Sequence, residues 1–279
     1  MAVGGIRTLH RGRWSGWTFP MCCLFVLILM EAAAAVTPAP GEEHIFQGIS
    51  FAWIPEGRMA FGTDLPALPG AFPGLREEWV GDEAGRPPYN GGGFWMSRTE
   101  VTRGDWKRIM GTEPWRERGG DERGDDSLPV TWVTLEEAKA FAKALGETEG
   151  MIFRLPSEAE WEYACRAGAV TIFYFGDAPE QLVEHAWFRG NTPDGMPRSV
   201  AGLQPNAWGL FDMLGNVWEW CDTAYEADGG KSGNSAPVVI KGGAANQLAL
   251  FCRPGTRLGR LAGQPSPRVG FRIVLAGTR

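Results

Sequence analysis

The segment Asn206–Trp220, with sequence NAWGLFDMLGNVWEW, constrains the fold of this chain more than any other feature. It contains three tryptophans, the glycines Gly209 and Gly215, and the carboxylates Asp212 and Glu219. Its apolar residues follow neither the helical nor the strand period, so packing on one face of a regular element does not explain it. Both glycines permit backbone turns that are closed to other residues. The segment is therefore predicted to be an irregular loop, and its carboxylates are oxygen ligands that a hard cation prefers.

The composition of the chain also indicates a fold rich in loops. The 279 residues include 39 glycines, 20 prolines and 13 tryptophans, which favours turns held together by large aromatic side chains over long helices. The glycines and prolines follow no fixed period, and this excludes collagen and solenoid repeats. A chain of this length can bury one sizeable core or two small ones.

The N-terminus has the pattern of a secretory signal. Three arginines between positions 7 and 13 precede an apolar core, Met21–Met30, and Ala33 and Ala35 form an A-x-A cleavage pattern. The apolar core is too short to span a bilayer comfortably, so no stable membrane span is expected after cleavage. We therefore predict a signal peptide over residues 1–35, a leader over residues 36–47, and export to the periplasm or the exterior.

The exported part of the chain is acidic and keeps three cysteines. Loss of residues 1–35 removes three of the 27 basic residues and one of the 33 acidic residues, which leaves a net charge of −8. This balance excludes a nucleic-acid-binding surface. Because only Cys165, Cys221 and Cys252 remain, at most one internal disulfide can form in an oxidising compartment.

Three helix starts carry the same capping signal, in which a hydroxyl residue is followed three positions later by an acid. The pairs are Thr102 with Asp105, Thr134 with Glu137, and Ser157 with Glu160. Strands are predicted within residues 48–62 and 94–101, whereas residues 63–93 are predicted to form a long surface loop. No long helix is expected beyond residue 170, and no linker divides residues 48–279, which we predict to be one domain.

Several motifs, taken in order, resemble the formylglycine-generating enzyme (sulfatase-modifying factor) family. They are FWMSRTEVT at Phe94–Thr102, RLPSEAEWEY at Arg154–Tyr163, FYFG at Phe173–Gly176, the Asn206–Trp220 loop, KGG at Lys241–Gly243, Cys252-Arg253, and GFR at Gly270–Arg272. The resemblance covers roughly residues 48 to 275. It implies a compact, loop-rich α+β fold that is related to the C-type lectin fold, so residues 48–279 are predicted to form a sulfatase-modifying-factor-like domain.

The resemblance also implies structural calcium at the Asn206–Trp220 loop. Members of the family bind calcium there, and the matching ligands are the side chains of Asp212 and Glu219 with the carbonyls of Gly215 and Val217. Two carboxylates with carbonyls and water give the six to eight oxygen ligands that calcium favours. The alternative is that Asp212 caps a turn and that Glu219 pairs with an arginine.

A second calcium site of the family would fall on Ala186, Asp194 and Met196. His185 stands there in place of an expected asparagine ligand, and imidazole is a poor ligand for calcium.

The copper site of the family is incomplete in this sequence. Active formylglycine-generating enzymes hold copper(I) with two cysteines five residues apart, because soft thiolates select this ion. In the run from Lys241, Cys252 matches the second cysteine, Gln247 stands at the first, and Ala244 replaces a serine. Copper is therefore not expected as a cofactor. Cys252 is a weak catalytic candidate, and the alternatives are a small buried hydrophobic residue or a disulfide with Cys221.

The sequence leaves three functional readings open. The preferred one is an exported, calcium-stabilised module that binds a peptide or protein ligand in a groove near Trp218, Gln247 and Arg257, without copper oxidase activity. The second is an oxidase that converts a sulfatase cysteine to formylglycine with oxygen, and the third is a structural or lectin-like adhesion domain. An iron site of three histidines within the chain is excluded, because His10 leaves with the signal and only His44 and His185 remain.

Overall fold

A computed structural model of the chain describes residues 37–62, 64–80, 82–84, 86–120, 122–147, 150–226 and 236–278. The predicted signal peptide lies outside these residues. The compact unit runs from Pro38 to Arg279. In the part that is described, no helix has the length and hydrophobicity needed to cross a bilayer.

Short strands and helices are grouped along the chain. The strands are β1 (Glu43–Phe46), β2 (Ile49–Ile54), β3 (Gly57–Met59), β4 (Tyr89–Gly91), β5 (Phe94–Ser97), β6 (Met151–Arg154), β7 (Trp218–Ala224), β8 (Val238–Lys241), β9 (Arg257–Arg260), β10 (Val269–Gly270) and β11 (Val274–Thr278). The helices are α1 (Leu68–Ala71), α2 (Arg103–Met110), α3 (Pro114–Glu117), α4 (Leu135–Glu147) and α5 (Glu158–Arg166). The three helices α2–α4 come in succession and the five strands β7–β11 at the end, which fits the predicted α+β class.

The main sheet has the strand order β1-β2-β5-β11-β6, and all its neighbours are antiparallel. A second sheet has the order β10-β7-β8-β9, and β3 pairs with β4. The predicted leader, residues 36–47, therefore contains an edge strand, so the main sheet begins before the predicted boundary at residue 48. This strand is held because the Phe46 ring packs edge-on against Phe51 at 5.3 Å and the Ser50 hydroxyl donates to Glu43.

The three predicted capping boxes are confirmed, at the starts of α2, α4 and α5. Beyond residue 170, the described helical turns are short 3-10 turns, also as predicted. Apolar side chains form two buried clusters, one around α4 and the main sheet and the other around α5. The predicted surface loop at residues 63–93 differs from expectation, because it buries Leu68 in the second cluster and carries α1 and β4.

The Asn206–Trp220 segment is irregular up to Val217, and its last three residues begin β7. Gly215 has φ +77°, and a Cβ there would lie 2.2 Å from the Trp187 carbonyl oxygen, so only glycine fits. Asp212 and Asn216 also adopt positive φ, at 53° and 51°. These two left-handed positions carry no glycine signal in the sequence, although Asp and Asn tolerate this conformation better than most residues.

Candidate functional site

Residues 241–252, which we call the copper-matching run, are the part of the chain that the sequence resemblance matches to the copper site of the family. After Lys241, both Gly242 and Gly243 have positive φ, and a Cβ on Gly243 would lie 2.7 Å from Cys252 Sγ. A single 3-10 turn, Ala249–Phe251, separates this glycine pair from Cys252. The backbone therefore turns sharply, and these turns place Cys252 beside Gly243.

Cys252 is a free thiol with no solvent exposure, and it packs in the second apolar cluster. Burial raises the pKa of its thiol to about 12, so the protonated form is strongly favoured at neutral pH. Cys165 and Cys221 are also buried free thiols, and burial raises the pKa of each. Of the two alternatives for Cys252, the structure therefore shows the small buried hydrophobic residue and not the disulfide with Cys221.

The three residues predicted to line a groove do not come together in one cavity. Trp218 is only 4% exposed and belongs to the first apolar cluster. Gln247 is half-buried in the turn before Cys252, where its carbonyl accepts a hydrogen bond from the Arg189 amide at 2.9 Å. Of the three, Arg257 lines a cavity with a volume of about 500 Å³, and neither Trp218 nor Gln247 lines that cavity.

This cavity lies where the N-terminus of α5 meets the end of β7, the start of β9 and the residues Asp82, Ala84 and Arg86. Glu158 at its base accepts hydrogen bonds from Arg86 at 2.5 Å and from Arg257 at 2.8 and 3.1 Å. The Arg86 guanidinium lies 4.3 Å from the centre of the Phe61 ring. Polar and aromatic groups are thus held in fixed positions around a half-open space.

The base of the cavity continues into a buried network of charges that we call the Arg253 cluster. Every member has an oppositely charged partner; the members are Asp64, Glu83, Glu158, Glu162, Arg86, Arg166, Lys241, Arg253 and Arg257. Burial alone would raise the pKa of Glu162, but Lys241, Arg86 and Arg166 outweigh burial and lower it to about 2.

Arg253, which directly follows Cys252, anchors the copper-matching run to Glu83 and Asp64. Its guanidinium donates to both oxygens of Glu83, at 2.7 and 2.9 Å, and to the Leu250 carbonyl at 2.7 Å. Since Arg253 and Glu83 are both buried, the end of the run is anchored inside the protein.

A second buried group of charges, the Arg272 cluster, comprises Glu100, Asp212, Glu219 and Arg272. Both Glu219 oxygens accept hydrogen bonds from Arg272 at 2.7 Å, and one also accepts from the Trp161 indole at 2.7 Å. Glu219 thus takes the alternative role that the sequence left open, as the partner of an arginine.

Asp212 and Glu100 have free ligand capacity in the same cluster. Asp212 is 2% exposed; one oxygen accepts from the Ala201 amide at 2.7 Å, and Oδ1 has no hydrogen-bond partner. Glu100 is 1% exposed, and neither of its carboxylate oxygens has a partner. Burial, followed by the nearby charge of Asp212, raises the pKa of Glu100 well above its usual value. The unpartnered oxygens of Asp212 and Glu100 are hard ligands of the kind that calcium prefers.

Sequence reasoning missed Glu100, whose only local signal is an acid placed between a strand and a helix cap.

At the second predicted calcium site, Asp194 is exposed and accepts from the Met196 amide and from Arg198. The Ala186 carbonyl accepts from the Asn191 side chain, and His185 stacks on Phe175. Among the described residues, no group of three or more His, Cys, Asp or Glu side chains is arranged around a common metal position.

Residues 38–276 match the family described as sulfatase-modifying factor enzyme 1-like domain. The chain belongs to this family. It is 30% identical over 248 residues to a formylglycine-generating enzyme of Mycobacterium tuberculosis, with 76% of this chain and 78% of that protein covered. It is also 30% identical over 181 residues to the inactive C-alpha-formylglycine-generating enzyme 2 of Mus musculus, with 59% of this chain and 56% of that protein covered.

Solved structures confirm the family fold. Treponema denticola variable protein 1 and PvdO from Pseudomonas aeruginosa each match with a TM-score of 0.66, and each match covers 86% of this chain and 99% of the other. Their sequence identities are 22% and 24%, so these matches bear on the fold alone. The predicted loop-rich α+β fold is therefore correct.

Proposed function

We propose that this chain is an exported, calcium-stabilised binding module of the family, without copper-dependent oxidation of a sulfatase cysteine. The observation that carries the proposal is the state of the copper-matching run. Gln247 stands at the first cysteine position, and Cys252, at the second, has no solvent exposure. An amide is a hard and weak donor, and one buried thiol does not provide the paired soft ligands that select copper(I).

The relatives are compatible with this proposal. The relatives at about 30% identity include a protein named formylglycine-generating enzyme and others named inactive C-alpha-formylglycine-generating enzyme 2, so the family includes members named as lacking the reaction. The cysteine pair is a small part of a fold that otherwise depends on aromatic packing and buried ion pairs, so a glutamine at its first position leaves that framework intact.

Ligand binding is proposed for the cavity at Arg257. Its walls carry guanidinium groups that ion pairs hold in place, with the Arg257 guanidinium 4.6 Å from the centre of the Tyr225 ring. Asp82 and the exposed Glu226 add carboxylates at its edge. Fixed donors and acceptors beside aromatic rings suit an exported peptide or protein segment with mixed charge, since such a segment offers both main-chain and side-chain partners.

The loss of oxidation is tested by incubating the reduced, mature protein aerobically with copper(I) and a cysteine-containing sulfatase peptide. A family enzyme that has both cysteines serves as the positive control. We expect mass spectrometry to show no conversion of the peptide thiol to an aldehyde by this chain, because it lacks the paired thiolates. Copper-dependent conversion at a rate near that of the control would refute the proposal.

Binding at the cavity is tested by selecting peptides from a random displayed library on the immobilised mature protein. Selected peptides are expected to bind the Arg257→Ala variant at least about tenfold more weakly, because a buried charge partner of the cavity is lost. Arg260→Ala is the matched control, since Arg260 lies on the same strand, outside the cavity lining. Failure to select any peptide, or equal binding to both variants, would contradict the proposed site.

A further inference from the structure

A second cavity, with a volume of about 280 Å³, shares no lining residue with the cavity at Arg257. We call it the Trp132 cavity. None of the described residues that line it is acidic, whereas carboxylates line the cavity at Arg257. Its walls combine one basic side chain with apolar groups; they include Arg103, Gly120, Trp132, Met196, Pro197 and Pro267. Its chemistry therefore differs from that of the first cavity.

We propose that the Trp132 cavity and the adjacent Arg268 form a binding site for an acidic peptide. A carboxylate of the peptide pairs with the Arg268 guanidinium, and the apolar side chain beside that carboxylate enters the cavity. The two parts are neighbours along the chain, because Pro267, which lines the cavity, directly precedes Arg268. This site goes beyond the proposed function, since it uses none of the residues around Arg257.

The Arg268 guanidinium has donor capacity that the described part of the protein does not fill. Its Nη1 is buried and has no hydrogen-bond partner. Burial lowers the pKa of Arg268, and the charge of Asp194 opposes this shift only in part. Asp194 itself is held by Arg198 at 2.9 Å and by the Met196 amide at 3.0 Å.

Arg272 shows what a partner does for a buried guanidinium. Burial also acts to lower the pKa of Arg272, but Glu219, which accepts two of its hydrogen bonds, outweighs burial and the pKa is raised. Arg268 lacks a carboxylate in this position. A peptide carboxylate would supply it, because a guanidinium binds the two oxygens of a carboxylate with strong, paired hydrogen bonds.

Asn246 adds a second donor beside Arg268. A Cβ on Gly195 would lie 3.1 Å from the Asn246 Cβ and 3.6 Å from Arg268 Nη2, so the two side chains flank the same turn. Asn246 is exposed and immediately precedes Gln247 in the copper-matching run. Its amide can donate to the same carboxylate as the guanidinium. The anion therefore meets two donors from separate parts of the chain.

Trp132 is held in a backbone conformation that bulky residues rarely adopt. Its φ is 62°, in the left-handed region. The Trp132 amide donates to the Ser266 carbonyl at 2.8 Å, and its carbonyl accepts from Arg118. The indole lies against Gly120, where a Cβ would be 2.3 Å from the Trp132 Nε1. Backbone strain of this kind concentrates at ligand-binding sites, where the surroundings fix it.

The charge at the site favours an anionic ligand. Arg103, in the wall of the cavity, is 3% exposed; its guanidinium lies 5.0 Å from the centre of the Trp115 ring and donates to the Arg123 carbonyl at 2.9 Å. It therefore contributes positive charge without leaving the wall. Because the mature chain is acidic overall, an acidic peptide requires a local positive surface of this kind to bind.

Two kinds of peptide carry a carboxylate beside an apolar group: one with an internal acidic residue, and one that ends in an apolar residue. Fluorescence polarisation with the mature protein compares labelled, amidated Gly-Ser-Asp-Leu-Ser-Gly with its Asn-Leu counterpart, and Gly-Ser-Gly-Leu with a free or an amidated end. We expect at least one acidic peptide to bind at least about tenfold more tightly than its neutral counterpart. The pair with the larger difference identifies the source of the carboxylate.

Arg268→Gln should remove this preference, because it removes the charge that pairs with the carboxylate. Arg108→Gln is the matched control, since it removes the same charge from an exposed residue of α2 that pairs with Asp105. The control should keep the preference. Trp132→Asn should keep the fold, because Asn adopts a positive φ more readily, and should weaken binding of the acidic peptide at least about fivefold.

The proposal is overturned if the unmodified protein does not distinguish acidic from neutral peptides, or if Arg268→Gln keeps the preference. Binding of heparin but of neither acidic peptide would show that the class of ligand is wrong. If Arg268→Gln does not fold, a crystal structure of the unmodified protein with the tighter peptide decides: a carboxylate within hydrogen-bond distance of Arg268 supports the proposal, and one bound elsewhere refutes it. The copper and Arg257 experiments stand or fall separately.

Discussion

The Arg253 cluster and the Arg272 cluster are both buried, yet they satisfy their charges in different ways. In the Arg253 cluster every carboxylate has a basic partner, and Arg253 itself follows Cys252. In the Arg272 cluster one guanidinium serves Glu219 and leaves Glu100 without a partner. The comparison shows that the copper-matching run is fixed by internal ion pairs, whereas the Arg272 cluster leaves oxygens of Glu100 and Asp212 without a hydrogen-bond partner.

The largest effect is expected for Arg272→Met, which removes the one positive charge of the Arg272 cluster. It leaves Glu219 buried beside two other carboxylates, so the free energy of unfolding should fall by about 5 kcal/mol, near the upper end for a broken buried pair. Urea denaturation measures this change.

Arg198→Met is the control for Arg272→Met. Arg198 pairs with Asp194 at the surface, where solvent screens the interaction. This control should leave the free energy of unfolding nearly unchanged. Similar losses for the two variants would mean that the Arg272 pair has no special structural role.

A double-mutant cycle tests whether Glu83 and Arg253 act as a pair in which each buried charge compensates the other. Glu83→Leu and Arg253→Met, each alone, should cost about 3–5 kcal/mol, because each leaves a buried charge without its main partner. The double variant should recover most of this loss, since both charges leave together. Additive losses in urea denaturation would show that the two residues do not act as a pair.

The pH dependence of the free energy of unfolding should show how much the ionised Glu162 carboxylate stabilises the fold. Its pKa is lowered to about 2 in the folded protein from an ordinary value of 4.5, so its contribution is complete above pH 4.5 and is lost as the pH falls towards 2. A shift of this size corresponds to about 3 kcal/mol.

Glu162→Gln should remove that part of the pH dependence. Urea denaturation of both proteins between pH 5 and 2 measures the difference. Parallel stability curves would mean that Lys241, Arg86 and Arg166 do not hold the charge of Glu162 in the folded state.

Local signals in the sequence predicted much of the fold. The capping pairs at Thr102, Thr134 and Ser157 are encoded within four residues, so the pattern is sufficient to place the helix starts. The aperiodic Asn206–Trp220 segment correctly indicated a loop. The edge strand β1 was missed, because its exposed face carries no alternating pattern and its pairing depends on β2.

The site was harder to predict, because its decisive contacts join distant parts of the chain. Glu83 binds Arg253 across 170 residues, and Arg272 binds Glu219 across 53. A single sequence contains no local signal for such pairs. The substitution at Gln247 was visible at once, whereas the unpartnered state of Glu100 became visible only when the fold placed it beside Asp212.

The most direct test of the account is a copper(I) competition titration of the reduced, mature protein against a chelator. We predict that the unmodified protein forms no tight one-to-one complex. Gln247→Cys should gain one equivalent of copper, and the further substitution Cys252→Ala should remove it. A tight one-to-one copper complex in the unmodified protein would contradict the claim that the copper-matching run has lost its chemistry.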